Sequence, residues 1–114
     1  MKVYVAGQYS ASNVIEVLKN IGKGRKACAE LFNLGFSPFC PWHDAAFIID
    51  NPDADFTVEQ FYGYSIEWLK VSDAMLLLPG WELSKGTMAE IKIAEELGIP
   101  IFTDRQNLIE FAIK

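Results

Sequence analysis

Short apolar runs alternate along the chain with longer segments in which apolar residues recur every three or four positions. The runs are too short to be helices of their own, and they predict buried strands at 2–6, 37–40, 74–78 and 99–102. The periodic segments predict helices at 14–33, 57–70, 84–97 and 104–114. We therefore expect one domain, residues 1–114, folded as an α/β protein. Its expected architecture is a flavodoxin- or Rossmann-like three-layer α/β/α sandwich with a parallel sheet of about four strands, the first of them central.

Capping residues support two of these helices. They are Thr57 with Gln60 three residues later, Ser84 at the start of the third periodic segment, and Gly98 after its end.

Two features interrupt the alternation of predicted strands and helices. Gly22 and Gly24 predict a break in the first helix. Residues 42–55 mix aromatic, apolar and acidic side chains without a period, which predicts a long loop containing about one helical turn.

One acidic residue of the third helical segment falls on its inward face. On a wheel at ~100° per residue, Glu90 lies in the middle of a broad face. The other members of that face are Gly86, Thr87, Ile91, Ile93, Ala94 and Leu97, and Lys85, Lys92 and Glu96 lie opposite. A carboxylate that points inward beside the carboxyl end of a parallel strand needs a partner or a function. Glu90 is therefore either a salt-bridged, edge-of-core residue or a functional group.

Composition narrows the classes of partner. The net charge is −5 and the basic residues are scattered, so we expect no nucleic-acid polymer as a partner. A small anion remains compatible with this charge, because helix N-termini bind phosphate without a basic surface. No apolar run approaches the ~20 residues of a membrane span, and no secretory signal begins the sequence, so we expect a cytoplasmic protein without membrane contact.

Metal and cofactor signals are weak. Cys28 and Cys40 are too few and too far apart for a metal cluster, and we expect two reduced core thiols. His43 is the only histidine, which argues against a His-based zinc site or a Ser-His-Asp triad as the main chemistry. Neither the dinucleotide motif nor the P-loop motif is present. We therefore expect no metal and no cofactor.

Ligands of open parallel sheets bind at the carboxyl ends of the strands, where the chain changes direction in the sheet. The loops at 7–10 and 81–90 follow two predicted strands, so we expect them to line one crevice. The first loop is otherwise an ordinary connection to the next helix. Trp42 and Phe47 either form a wall for a flat ring or fill the core or a subunit contact. Ser65 is either a packing compromise or a ligand contact.

Four segments carry a resemblance to a known family. They are VYVAGQYS at 3–10, GFSPFCP at 35–41, IEWLKVSD at 66–73 and LLPGWELSKGTMAE at 77–90. Together they resemble the nucleoside 2-deoxyribosyltransferase-like superfamily, and within it the short bacterial and phage branch called DUF4406-like. The resemblance covers nearly the whole chain. Characterised relatives include deoxyribosyltransferases and nucleoside 5′-monophosphate N-glycosidases, which cleave the bond between base and sugar.

The resemblance implies roles for several residues. Glu90 matches the helix glutamate that attacks the anomeric carbon in those relatives, and Tyr4 is implied to approach it. The Gly7-Gln8 turn is implied to lie against the ligand, and Ser84 to contact the sugar or its phosphate. This chemistry is physically sensible, since a carboxylate stabilises the positive charge that builds on the sugar or forms a covalent intermediate with it.

The chain departs from the family at Ser65, where many active relatives have an aspartate that helps to protonate the leaving base. His43 or Asp44 could supply that proton here.

A 5′-phosphate is expected at the backbone N–H groups of Lys85 and Gly86, where the helix dipole favours an anion. The predicted catalytic residues are Glu90 and Tyr4. The predicted substrate-binding residues are Gly7, Gln8, Tyr9, Ser10, Trp42, His43, Ser65, Trp81, Ser84, Lys85 and Gly86.

The leading hypothesis is hydrolysis or transfer at the N-glycosidic bond of a nucleoside or nucleoside 5′-monophosphate, with Glu90 as nucleophile. A second hypothesis is a non-catalytic nucleotide-binding or sensing module that keeps the crevice and lacks the acid at Ser65. A third is a small oligomeric interaction protein, with an interface made by Trp42, Phe47, Trp68 and Trp81. From the aromatic content and the habit of the family, we expect a homodimer or a higher homo-oligomer.

Overall fold

The computed structural model describes residues 1–113, and its secondary structure alternates between strands and helices. The strands are β1 (Lys2–Ala6), β2 (Ser37–Phe39), β3 (Ala74–Leu77) and β4 (Ile101–Phe102). The α-helices are α1 (Val14–Asn33), α2 (Ala45–Asp50), α3 (Val58–Lys70), α4 (Lys85–Glu96) and α5 (Arg105–Ala112). Two 3-10 turns, Pro41–Asp44 and Trp81–Leu83, follow β2 and β3.

The four strands form one parallel sheet in the order β2-β1-β3-β4. The predicted α/β fold and the internal position of the first strand are confirmed. The chain passes from β1 to β2 on one side and then crosses to β3 on the other side of β1, so the direction of winding changes between β1 and β3. In such sheets this switch point opens a crevice at the carboxyl ends of the two strands.

Helices cover both faces of the sheet and divide the core in two. Val3 and Val5 point to one face, where they pack with Leu31 of α1 and Leu108 of α5. The alternate residues of the same strand pack with α3 and α4 on the other face; the buried members of that cluster are Tyr4, Ala6, Leu69, Met75, Leu77 and Ala94. Because successive strand residues face opposite ways, a strand between two helical layers is apolar along its whole length.

The predicted break in the first helix is wrong, since α1 runs without interruption from Val14 to Asn33. A glycine inside a helix costs only about 1 kcal/mol relative to alanine, and tertiary packing outweighs such a cost. The indole of Trp42 lies directly on Gly24, so that a Cβ atom at this position would overlap the ring. Gly22 has open space around it. Gly24 therefore allows a close approach of two segments, and it does not end the helix.

The predicted loop at 42–55 is correct only in part. Pro41 begins a 3-10 turn, and α2 follows at once to Asp50. Trp42 is 2% exposed and belongs to the core cluster between the sheet and α1. Phe47, by contrast, is 43% exposed and packs edge-on against Tyr64. Helix α2 has no buried residue, so no apolar periodicity marks it in the sequence.

Caps and strand ends lie close to the predicted positions. Thr57 and Gln60 form a reciprocal capping box at the start of α3, and the Ser84 side chain caps α4. Strand β2 ends one residue earlier than predicted, at Phe39. Leu97 was assigned wrongly to the inward face: it is 51% exposed, because it lies at the C-terminal end of α4. None of the helices within residues 1–113 is long and apolar enough to cross a membrane.

Candidate functional site

A cleft of about 770 Å³ opens at the carboxyl ends of β1 and β3, between α3 and α4. Ten of the sequence-predicted site residues line it: Tyr4, Gly7, Tyr9, Ser10, Trp42, Ser65, Ser84, Lys85, Gly86 and Glu90. The cleft occupies the switch point of the sheet, where the fold leaves strand ends and helix N-termini uncovered. The topology therefore brings together residues that are up to 86 positions apart in the chain.

Glu90 and Tyr4 form a hydrogen-bonded pair in this cleft. Tyr4 lies on the central strand β1, and its hydroxyl donates to Oε2 of Glu90 in the second turn of α4. Burial raises the pKa of Glu90 to about 7, and the bond from Tyr4 opposes that rise. Burial also raises the pKa of Tyr4, as do the negative charge and the hydrogen bond of Glu90. Tyr4 is therefore a permanent proton donor to a carboxylate that titrates near neutrality.

Ser65 lies on the other side of Tyr4. It is the small polar residue of the inward row of α3, and it is 8% exposed. The Ser65 hydroxyl lowers the pKa of Tyr4, whereas Glu90 raises it. Tyr4 thus sits between a carboxylate and a hydroxyl that belong to two different helices.

A second carboxyl group lines the same cleft. Asp44 ends the 3-10 turn after β2 and is 7% exposed. Its Oδ1 accepts a hydrogen bond of 2.7 Å from the Tyr9 hydroxyl, and burial raises its pKa although this bond opposes the rise. Burial and the contact with Asp44 raise the pKa of Tyr9 in turn. The cleft therefore contains two tyrosine–carboxyl pairs, one from each side of the switch point.

Three side chains hold the loop that follows β1, and each of them binds a backbone carbonyl. Thr87 donates from its hydroxyl to the Gly7 carbonyl at 3.1 Å. The Trp42 indole donates to the Gln8 carbonyl at 3.0 Å, and the Asn20 amide donates to the Tyr9 carbonyl at 3.2 Å. Sequence reasoning missed Thr87 and Asn20 as loop anchors. Thr87 was visible only as a polar member of the inward face of α4.

The N-terminus of α4 faces the cleft. The Ser84 hydroxyl accepts from the Thr87 backbone N–H at 3.1 Å, which leaves the N–H groups of Lys85 and Gly86 without an intrahelical acceptor. A Cβ atom on Gly86 would lie 3.3 Å from the Tyr62 ring, so glycine keeps α3 and α4 close at this point. This helix start can accept an anion from the cleft.

Three predicted substrate-binding residues do not line this cleft. Gln8 folds its side chain under the Pro79-Gly80 turn, where its Oε1 would be 2.5 Å from a Cβ atom on Gly80. Trp81 is half-buried and packs with the core cluster below α4. His43 is exposed and lines a different cavity beside β2, because the 3-10 turn directs neighbouring side chains to opposite sides. The expectation that Gln8 and Trp81 line the crevice is therefore wrong, and the substrate-binding role predicted for the three residues stays a prediction.

Within residues 1–113, no group of three or more His, Cys, Asp or Glu side chains is placed to hold a metal ion. The chemical groups of the cleft are instead two carboxyls, their tyrosine partners, several hydroxyls and a helix N-terminus. This set suits a neutral or anionic polar ligand.

Comparisons with known proteins agree with this architecture. The family model described as a domain of unknown function, DUF4406, matches residues 1–103. The chain belongs to the DUF4406 family. No curated protein matches it. Among solved structures, this DUF4406 protein is similar to a 2-deoxyribosyltransferase from Bacillus psychrosaccharolyticus, with a TM-score of 0.61 and 23% sequence identity.

That match covers 89% of this chain and 69% of the Bacillus chain. At this level of identity, the similarity shows a common fold. The predicted resemblance to the nucleoside deoxyribosyltransferase-like fold and to its DUF4406 branch is therefore confirmed.

Proposed function

We propose that this DUF4406 protein cleaves the N-glycosidic bond of a nucleoside or nucleoside 5′-monophosphate. The glycosyl group is then either hydrolysed or transferred to a second base. The observation that carries the proposal is the Glu90–Tyr4 pair in the cleft, a half-buried carboxylate held by a tyrosine at the carboxyl edge of the sheet. The similarity in fold to a 2-deoxyribosyltransferase supports glycosyl transfer on nucleosides as the general class of reaction.

In this proposal Glu90 is the nucleophile. One carboxylate oxygen attacks the anomeric carbon, the bond between that carbon and the base nitrogen breaks, and water or a second base then releases the glycosyl group. Positive charge develops on the sugar in the transition state, and a carboxylate in a low-dielectric cleft stabilises it more strongly than one in water. Tyr4 orients the second oxygen of Glu90 and stays protonated, since its pKa is raised.

We propose Asp44 as the group that protonates the leaving base. It lines the same cleft as Glu90, and burial raises its pKa, which favours the protonated form that a general acid needs. The Tyr9 hydroxyl orients it at 2.7 Å. His43 is a poor candidate because it faces another cavity, and Ser65 carries a hydroxyl, which is a weak acid at neutral pH.

A 5′-phosphate fits the N-terminus of α4. The free backbone N–H groups of Lys85 and Gly86 and the positive end of the helix dipole favour an anion there. The Lys85 side chain is exposed at the rim and adds a positive charge. Because this helix start and Glu90 belong to one helix, an anchored phosphate would place the sugar along α4 towards the carboxylate.

The test is release of free base from a panel of nucleosides and 5′-monophosphates, in ribose and deoxyribose forms, followed by chromatography. We expect turnover by the parent protein and a loss of at least about a hundredfold in Glu90→Gln. Glu96→Gln, on the exposed face of the same helix, is the matched control and should keep full activity. A panel without turnover, or a Glu90→Gln variant as active as the parent, would refute the nucleophile.

The role of Asp44 has a test of its own. Asp44→Asn should slow cleavage of ordinary purine substrates strongly and cleavage of an N7-methylated purine much less, because that base already carries a positive charge and leaves without protonation. His43→Asn is the control and should change neither substrate. Equal losses on both substrates would show that Asp44 acts on structure and not as an acid.

A second candidate function is nucleotide binding without turnover. The observation that favours it is Ser65, which places no carboxyl group beside Tyr4 on the α3 side. Ligand-dependent thermal stabilisation without base release would support this function.

The interaction-protein hypothesis is weaker, because Trp42 lies in the core and Trp81 is half-buried. Of the four aromatic residues in that hypothesis, only Phe47 and Trp68 are exposed. We propose a homo-oligomer, and light scattering after gel filtration tests it.

A further inference from the structure

A second cavity, of about 1030 Å³, lies along the open edge of β2, between α1 and α3. It shares no lining residue with the Glu90 cleft. Its charged residues are all basic, namely Lys2, Arg25 and Lys26, in a protein whose net charge is −5. Cys28 and Cys40, which are both free cysteines, line this cavity.

The two thiols are neighbours from different elements. Cys28 projects from α1 and is 4% exposed, and Cys40 follows the last residue of β2 and is 7% exposed. The Cys28 Sγ atom lies 4.0 Å from the carbonyl oxygen of Phe39, the residue that precedes Cys40. Both thiols belong to the same buried cluster between the sheet and α1.

The surroundings make the two sulfurs chemically different. The hydrogen bond from Cys28, the backbone N–H groups of His43 and Trp42 and the charge of Arg25 lower the pKa of Cys40, against the effect of burial. The same contact and burial raise the pKa of Cys28. A thiolate is the reactive form of cysteine, and electropositive surroundings favour it. Cys40 is therefore the sulfur equipped to attack, and Cys28 holds its proton beside it.

A metal site does not explain this arrangement. Zinc sites use four ligands or three with a water, and no set of three potential ligands occurs among residues 1–113. Two core thiols buried only for packing need no opening to a cavity, whereas both of these thiols line one. The pair has instead the arrangement of an attacking and a resolving thiol.

We propose that Cys28 and Cys40 form a redox site at which a hydroperoxide closes a reversible disulfide between α1 and β2. In the first step the Cys40 sulfur attacks one peroxide oxygen, the O–O bond breaks, and the other oxygen leaves as an alcohol or water after it takes up a proton. Cys40 is then a sulfenic acid. In the second step the Cys28 sulfur attacks the Cys40 sulfur, the S–O bond breaks, and the hydroxyl leaves with the Cys28 proton as water. Two thiols are oxidised, and one hydroperoxide is reduced.

The site goes beyond the proposed glycosyl chemistry and does not depend on it. The bridge would tie the middle of α1 to the end of β2. Constraint of the unfolded chain by a bridge stabilises the folded state when the native geometry accommodates it. We therefore expect the oxidised monomer to melt at a higher temperature than the reduced one.

The experiment treats the reduced, full-length protein with hydrogen peroxide and follows free thiols, intact mass and peptide maps without reduction. We expect the monomer to lose both thiols and two hydrogen atoms, to show a Cys28–Cys40 cross-linked peptide, and to recover with dithiothreitol. Cys28→Ser should stop at a sulfenic acid on Cys40 that dimedone traps. Cys40→Ser should react much more slowly, because Cys28 lacks the stabilised thiolate.

Alanine variants at both positions give a second series if either serine variant fails to fold. Phenylarsine oxide is an independent probe, since one arsenic atom binds two adjacent thiols. We expect it to bind the parent protein in an equimolar ratio and to bind neither single variant tightly. Disulfides only between chains, oxidation of Cys40 beyond sulfenic acid without a bridge, or equal peroxide reactivity of the two single variants would overturn the proposal.

Discussion

Neutralising Glu90 should stabilise the protein at alkaline pH and leave its stability unchanged in acid. The reason is the pKa of about 7 that burial imposes on a carboxyl whose usual value is 4.5. The folded state therefore holds a proton that the unfolded state releases between these two values, so stability falls as pH rises from about 4.5 through 7. Glu90→Gln keeps the shape and the acceptor oxygen for Tyr4 but cannot ionise.

The magnitude follows from the difference between the two pKa values. A displacement of about 2.5, at about 1.36 kcal/mol for each pKa unit, corresponds to a cost of about 3 kcal/mol for ionising Glu90 in the folded protein. At pH 8 we expect Glu90→Gln to exceed the parent in free energy of unfolding by up to this amount. At pH 4, where the parent carboxyl is protonated in both states, the difference should fall to a few tenths of a kcal/mol.

Urea unfolding followed by circular dichroism at pH 4, 6 and 8 measures these differences. Glu96→Gln is the control, because it makes the same chemical change on the exposed face of the same helix and should show no comparable trend with pH. A Glu90→Gln variant that is less stable than the parent at pH 8, or a difference that does not change with pH, would refute the reasoning. The prediction concerns folding alone and does not depend on any catalytic activity.

Three further predictions use other contacts of the same fold. Gly24→Ala should destabilise the protein by roughly 1–3 kcal/mol, because the new methyl group collides with the indole packed on the helix. Gly22→Ala, which has open space around it, should stabilise the protein by about 0.5–1 kcal/mol in the same denaturation assay. Equal effects of the two would contradict the close approach. Thr57→Ala removes one half of a capping box and should cost about 1 kcal/mol, with Thr57→Ser as the control that keeps the hydroxyl. Tyr4→Phe removes the hydrogen bond to the carboxylate and should raise the pKa of Glu90, measured by carboxyl-carbon NMR titration; an unchanged midpoint would show that the bond is weak.

The proposed nucleophile places a limit on the pH range of activity. Glu90 must be ionised to attack, and its ionised fraction rises as pH passes through about 7. Asp44 must be protonated to release the base, and burial moves its pKa upward from the usual range. The two carboxyls therefore favour a bell-shaped profile, whose limbs belong to the interacting pair.

Local patterns along the chain determined the secondary structure of most of this protein. Four apolar runs became strands, since a strand between two helical layers must be apolar on both faces. Ser84 and Thr57 cap helices because a side-chain oxygen at that position satisfies backbone N–H groups that no other turn can reach. The inward direction of Glu90 also followed from helical periodicity alone.

Only the tertiary structure decided which side chains meet in the cleft. Gly24 continues a helix because the Trp42 indole packs against it, and the two are 18 positions apart in the chain. His43 and Asp44 are adjacent, yet a 3-10 turn directs one to the β2 edge and the other to the Glu90 cleft. Contacts between distant segments depend on the order of strands and on the directions of side chains in irregular turns, and no local periodicity encodes either. The sequence by itself therefore determined most of the elements and the inward carboxylate, and the packing of those elements determined the neighbours of that carboxylate.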